Sequence, residues 1–352
     1  MTQPQGAHLV GSINFDDVET TFRTSAEYLG THLKRIPDGE VGERFHWIAF
    51  QPDRLAAAAG LERVGDEPIR LRELDVRPVK LSPGVSAEDL VLPALGYADA
   101  ALASWEVFSR LQAAGVIPER LRFQVSLPTP VGVVGSFVAA EDRASFEPVY
   151  QAALLAELDR ILDGIPHESL AIQWDAALEF AIIEAAGYRQ QSRAWFEDVW
   201  AYQVGRLAEL IECVPGEVEV GIHLCYGDAG EKHFVEPSDT GNLVRFANEL
   251  SAATLALPTS RALDWIHIPV PIERDDEAYF APLAGLRLPD ETEFYLGLIH
   301  REDGVEGATR RIATAQRFLD SFGVATECGF GRAPEGTTVP LFETHRTVAA
   351  AW

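Results

Sequence analysis

The chain has 352 residues, 47% of them hydrophobic and 24% charged, with 54 acidic against 29 basic side chains and a formal net charge of -25. Such a chain can bury a large core, while its acidic excess and lack of a basic stripe exclude a phosphate backbone as partner and disfavour an anionic membrane surface. No apolar run approaches the ~20 residues that cross a bilayer, and residues 1–11 lack the charged-then-apolar layout of a signal peptide, so the expectation is a cytoplasmic protein with neither nucleic acid nor membrane as partner.

In chain order, residues 7–13 read as a short strand opening into a loop at Asn14, followed by a helix over 16–29. A second strand over 33–37 ends in Asp38-Gly39-Glu40. From 50 to about 120 the pattern loosens into an excursion: an alanine-rich helix near Leu55, a polar stretch over 65–83, and a longer helix over 87–114. Regular alternation resumes with a strand over 122–127, a break at Pro128-Thr129-Pro130 and a helix through 150–162. Strands then recur at 170–174, 218–223, 263–268, 294–299 and 324–327, with helical stretches between most of them.

Alternating strands and helices imply parallel pairing with right-handed crossovers. Eight strands in this length suit an α/β fold, a (β/α)8 TIM barrel forming one catalytic domain over 1–352, with a long insertion after the second strand at about 50–120. A doubly wound open sheet is the rival. The barrel is preferred because no Gly-x-Gly-x-x-Gly follows the first strand and because polar residues collect at strand ends along the whole chain.

The active site of such a barrel is built from the loops after the strands. Here those positions carry Ser12, Glu40, Thr129, Asp175, His223 with Cys225, His267, His300 and Cys328. Each alone has a plain explanation: Ser12 or Asp175 as a helix cap, Glu40 as the partner of Arg44, His300 as a surface loop residue. Together they favour a functional site. His223 and Cys225 stand two positions apart, and on a strand such residues share a face. They could hold one metal ion with Cys328 as a further ligand; alternatively His223 is a satisfied core histidine and both cysteines are small buried apolar residues. Three cysteines are too few for a disulfide framework, which fits a reducing compartment, and Cys213 is assigned to the core.

At this point the motifs carry a resemblance. His223-Leu224-Cys225-Tyr226 resembles the zinc-binding His-Met-Cys-Tyr of the cobalamin-independent methionine synthase catalytic barrel, and Glu327-Cys328-Gly329 with Arg332 resembles that family's Asp-Cys-Gly followed by an arginine. The wider superfamily includes uroporphyrinogen decarboxylase and zinc-dependent coenzyme M alkyltransferases. Gly11-Ser12 is similar to the Gly-Ser that contacts the substrate's carboxylate, and Asp38-Gly39-Glu40 with Arg44 to the segment whose glutamate holds the substrate. Asp175 falls where the family has an amine-binding aspartate, and His300 resembles the histidine that assists proton transfer.

The sequence also departs from that family. Its glutamate ligand is replaced by Pro269 in Ile266-His267-Ile268-Pro269, so His267, two residues earlier on the same face, or Glu273 is expected as the further ligand. Ala176-Ala177 replaces a Glu-Pro, and residues 130–137 lack the tryptophan that packs on folate. The resemblance implies a zinc-dependent methyl or alkyl transferase acting on a small-molecule thiol such as homocysteine. Glu40 and Asp175 would hold its ammonium group and the Ser12 loop its carboxylate. A corrinoid protein or a small methylated compound is the expected donor. A zinc lyase or hydrolase, and a non-catalytic protein with structural zinc, are the alternatives.

Overall fold

The computed structural model describes residues 3–184, 193–227 and 233–352. Eight parallel strands form the barrel: β1 (Ala7–His8), β2 (Arg35–Pro37), β7 (Arg122–Pro128), β8 (Leu170–Ala176), β9 (Glu219–Leu224), β10 (Trp265–Pro269), β11 (Glu293–Ile299) and β12 (Gly323–Thr326). Their order runs β1-β12-β11-β10-β9-β8-β7-β2, and a parallel bridge between Ser12 and Gly39 brings the two edges together. The expected (β/α)8 TIM barrel is therefore the observed fold. Helices α1 (Val18–Leu29), α3 (Tyr97–Ala113), α5 (Arg143–Gly164), α7 (Val199–Glu212), α8 (Gly241–Ala256), α10 (Gly304–Ala315) and α11 (Thr338–Val348) follow between or after strands. None of the helices among the described residues is long and apolar enough to cross a membrane.

The first strand is shorter than its apolar run. Beyond His8 the carbonyls of Leu9 and Val10 accept from the Gln124 amide at 3.1 and 3.0 Å, and Val10 also accepts from Gln173. Side chains from inside the barrel thus take the place of a strand neighbour. The excursion between β2 and β7 holds a 3-10 segment (Gly42–Phe50), α2 (Gln51–Leu55) and two small antiparallel ladders, β3 (Leu61–Arg63) with β6 (Val79–Leu81) and β4 (Arg70–Leu71) with β5 (Leu74–Asp75). The helix expected over 87–114 is interrupted: a turn at Ala87–Asp89 precedes α3, and Pro93 and Gly96, with φ of 94°, separate them. Two short helices, α4 (Pro130–Phe137) and α6 (Leu178–Ile183), follow β7 and β8, and α9 (Glu277–Phe280) follows β10. Thr129 is a cap: its hydroxyl accepts from the Gly132 amide at 2.9 Å and donates to Glu179.

Inside the barrel, bulky residues sit opposite glycines. A Cβ on Gly221 would overlap the Trp265 indole, one on Gly323 the Tyr295 ring, and one on Gly297 would lie 2.8 Å from His267 Nε2. This large-on-small filling is how a barrel interior becomes a packed core. The register lines up Asp175 with His223 and His223 with His267, so these three share one layer just below the strand ends.

Candidate active site and metal centre

The site grows out of β9. His223, in that strand, points inward, and Cys225 follows one residue beyond the strand's end, its amide bonded to Ala176 O at 2.9 Å. The Gly227 amide donates to Cys225 Sγ at 3.2 Å. Only glycine suits position 227, where φ is 81° and a Cβ would overlap the Phe234 ring. Cys328 comes from the loop after β12, which docks on the Ser12 loop: Phe330 N donates to Ser12 O at 2.9 Å and Gly331 N to Ser12 Oγ at 3.3 Å. The two sulfurs lie 3.8 Å apart, and Cys328 Sγ is 3.6 Å from His223 Nε2.

These three donors form one metal-capable group, all within 4.8 Å of one another. Bond lengths of ~2.3 Å to sulfur and ~2.0 Å to nitrogen around a tetrahedral ion give sulfur–sulfur and sulfur–nitrogen edges of about 3.8 and 3.5 Å. The donor set therefore suits zinc in chemistry, and the two edges that Cys328 makes, to Cys225 and to His223, match those of a tetrahedral site. Cys213, expected in the core, is exposed at the end of α7, far in role from the other two.

His267 is placed differently from its expected part as a ligand. Its Nδ1 lies 2.7 Å from His223 Nδ1 and its Nε2 3.1 Å from the Thr326 carbonyl, so both ring nitrogens have protein partners. The ring stands behind His223, away from the sulfurs, because its register places it beside His223 and below Cys225. Burial holds His267 down at about 3 and, with His267 and His8 nearby, holds His223 well below the usual histidine range. Glu273, the other candidate, is outside the donor group and lines an adjoining cavity.

Gly11, Ser12, Glu40, Asp175, His223, Cys225 and Cys328 all line one cavity of about 370 Å³. Arg44 does not pair with Glu40; it forks onto Asp38 at 2.7 and 3.2 Å. The turn that separates them carries positive φ at Gly39 and Glu40, 81° and 51°. Glu40 is left facing the cavity, where burial, helped by Asp38 and opposed by Arg44 and Arg332, lifts its carboxyl to about 7. Asp175 is pushed well above the carboxylate range by burial and then by Glu40, against a 2.9 Å hydrogen bond from Gln173. Glu40 thus adds to the rise in Asp175, and the two buried carboxyls face one cavity.

His300 lies in an adjoining cavity of about 550 Å³, which meets the first at Gly227, Cys328, Gly329 and Arg332. Its Nε2 donates to the Val270 carbonyl at 2.8 Å, leaving Nδ1 toward Glu327 at 3.8 Å. Burial and the Arg311 charge hold it down at about 4, so it is neutral at pH 7.

Several residues of the site escaped sequence reasoning. Trp47, from the excursion, lines the first cavity, contributes a hydrogen bond to Asp175, and holds a strained φ of 52°. With Phe234 it gives the cavity an aromatic wall, while residues 130–137 bring no tryptophan to it. The cluster Phe45-His46-Trp47 was its one visible signal. His233 pairs with Glu327 at 2.9 Å and Glu236 at 3.1 Å; burial works against its charge, but the Glu327 hydrogen bond and carboxylate prevail and raise it to about 9. Nothing in its polar sequence neighbourhood announced it.

No protein-family model matches the sequence, and comparison with curated proteins finds no match. The fold does have solved counterparts. A putative vitamin-B12-independent methionine synthase from Listeria monocytogenes aligns over 99% of this chain and 98% of its own, with a TM-score of 0.57 and 15% identity. A B12-independent methionine synthase from Shewanella sp. W3-18-1, in complex with selenomethionine, aligns over 98% and 96%, with a TM-score of 0.60 and 12% identity. At such identities the likeness establishes the fold alone; chemistry has to be argued from the site.

Proposed function

We propose that this barrel is a zinc-dependent transferase that passes a methyl or alkyl group to a small-molecule thiol carrying an amino group, homocysteine being the type. The observation that carries the reading is the convergence of His223, Cys225 and Cys328 on the wall of the cavity that also holds Glu40 and Asp175. His223, Cys225 and Cys328 would hold the ion through one imidazole and two thiolates, three protein donors where a closed structural site has four. Zinc held there would supply Lewis acidity that lowers the pKa of a substrate thiol toward neutral pH.

The rest falls to the chain. Glu40 and Asp175 bind the ammonium group, which relieves their mutual repulsion and fixes the substrate's thiol end toward the cysteines. The Gly11-Ser12 loop receives the carboxylate. His300, neutral and with no proton on Nδ1, accepts the thiol proton and passes it to the leaving group of a small methylated donor or, where a corrinoid leaves as Co(I), to water. The alkyl donor is a corrinoid protein or a small methylated compound, approaching through the larger cavity.

The test is metal analysis together with a thiol methylation assay. Cys225→Ser and Cys328→Ser are expected to lose bound zinc and activity together. Full zinc retention in both variants would remove the reading. Zinc retained by the wild type with water, not thiol, consumed in turnover would move the assignment to a lyase or hydrolase.

A further inference from the structure

We propose that His267 is a positioning residue that fixes which nitrogen of His223 faces the two cysteines. The argument needs only hydrogen-bond chemistry. The Thr326 carbonyl can only accept, so His267 Nε2, 3.1 Å away, carries a proton. The two Nδ1 atoms, 2.7 Å apart, can share one proton and no more. Were it on His267, that ring would be a fully buried imidazolium, and His223 would turn an N–H toward Cys328. With the proton on His223 both rings are neutral, as burial demands. His223 Nε2 then presents a lone pair 3.6 Å from Cys328 Sγ. Proton direction thus runs from His223 to His267 to the β12 backbone.

The surroundings are shaped to this end. Gly297, on the next strand, has no Cβ where one would lie 2.8 Å from His267 Nε2 and 2.7 Å from Thr326 O. Any side chain there would press on the bond that orients the ring. Pro269, two residues on, brings no carboxylate to the group. The three-donor set depends instead on a correctly oriented His223, held by an imidazole where metal-binding histidines more often use a carboxylate, carbonyl or water.

The proposal rests on the zinc reading for its affinity arm, while its tautomer arm is independent of metal. In long-range proton–nitrogen NMR of the metal-free wild type, His223 is expected as the Nδ1–H form; the Nε2–H form would overturn the proposal. By chelator competition, His267→Leu is expected to weaken zinc binding 10- to 100-fold, the range for loss of such supporting bonds. His267→Gln, whose amide can accept from His223 and donate to Thr326, is expected to restore most of it. Wild-type affinity in His267→Leu would overturn the proposal, as would equal loss in folded Leu and Gln variants. A wild type that binds no zinc, yet has His223 as Nδ1–H, would count against the functional reading alone.

Discussion

Glu40 is a residue whose protonation its burial in the cavity controls. In the unfolded chain its carboxyl titrates near 4.5, and burial lifts it to about 7. The raised value means that folding favours the protonated form, so the cost of ionised Glu40 is absent below about pH 4.5, grows between the two values, and is complete above about 7. A shift of this size corresponds to roughly 3 kcal/mol. Glu40→Gln is therefore expected to stabilise the ligand-free protein by up to that amount at pH 8 and to change little near pH 4, as read by chemical denaturation. An ammonium ligand acts in the opposite sense: it pulls Glu40 toward the carboxylate, so aminothiol binding should release a proton and tighten as pH rises from about 5 to 7. Calorimetry in buffers of different ionisation enthalpy measures both. Binding that is flat across that range in wild type, or equally steep in Glu40→Gln, would detach Glu40 from the amine. The sequence placed Glu40 at a strand end but could not show that Arg44 turns to Asp38, because that choice is made by the left-handed turn at Gly39 and Glu40.

At the scale of elements, most of the barrel was legible because buried parallel strands leave apolar runs at regular intervals and helices lie between them. All eight expected strands are present, and their ends carry the donor triad. What periodicity cannot give is depth. Alternation put His267 on the inner face correctly, yet only the pairing of β10 with β9 reveals that it stands beside His223. Likewise Trp47 lies in an irregular segment where no repeat exists to be read. The interior also imposes a test of its own. Trp265 rests over Gly221 and donates to Gln173 Oε1 at 3.2 Å, and Gln173 in turn holds Asp175 at 2.9 Å. Gly221→Ala would force the indole aside, an overpacking that costs about 1–3 kcal/mol. The expected result is lower stability in denaturant unfolding together with weaker aminothiol binding, since the displaced ring disturbs the chain of contacts to Asp175. A stability loss without any change in binding would show that Asp175 is oriented independently of the layer beneath it.

For the whole molecule, the decisive question is what the metal contributes to the fold. Cys225 and Cys328 sit just beyond the strand ends and His223 just inside β9, whereas the main apolar core, drawn from residues between Ala7 and Ala349, contains none of the three, and the opposite end of the barrel is closed by Arg35 between Glu219 and Glu293. Nothing in that core passes through the donor group. Zinc binding should therefore add to stability by mass action alone, about 2.7 kcal/mol when free metal exceeds the dissociation constant a hundredfold. For a chain this long that is a rise of a few degrees in Tm, since melting temperature responds less per kcal/mol as size grows. Removing zinc with a chelator should lower Tm by the same few degrees and leave the far-ultraviolet circular dichroism of the barrel intact, and Cys328→Ser should melt like the metal-free wild type whether or not zinc is added. Collapse of the barrel on chelation would instead mark the metal as part of the fold, as in small zinc-nucleated domains, and would favour a structural role over thiol activation. The three-donor group beside a cavity lined by Glu40 and Asp175 argues for the milder outcome, because an ion recruited for folding is normally enclosed by four protein ligands.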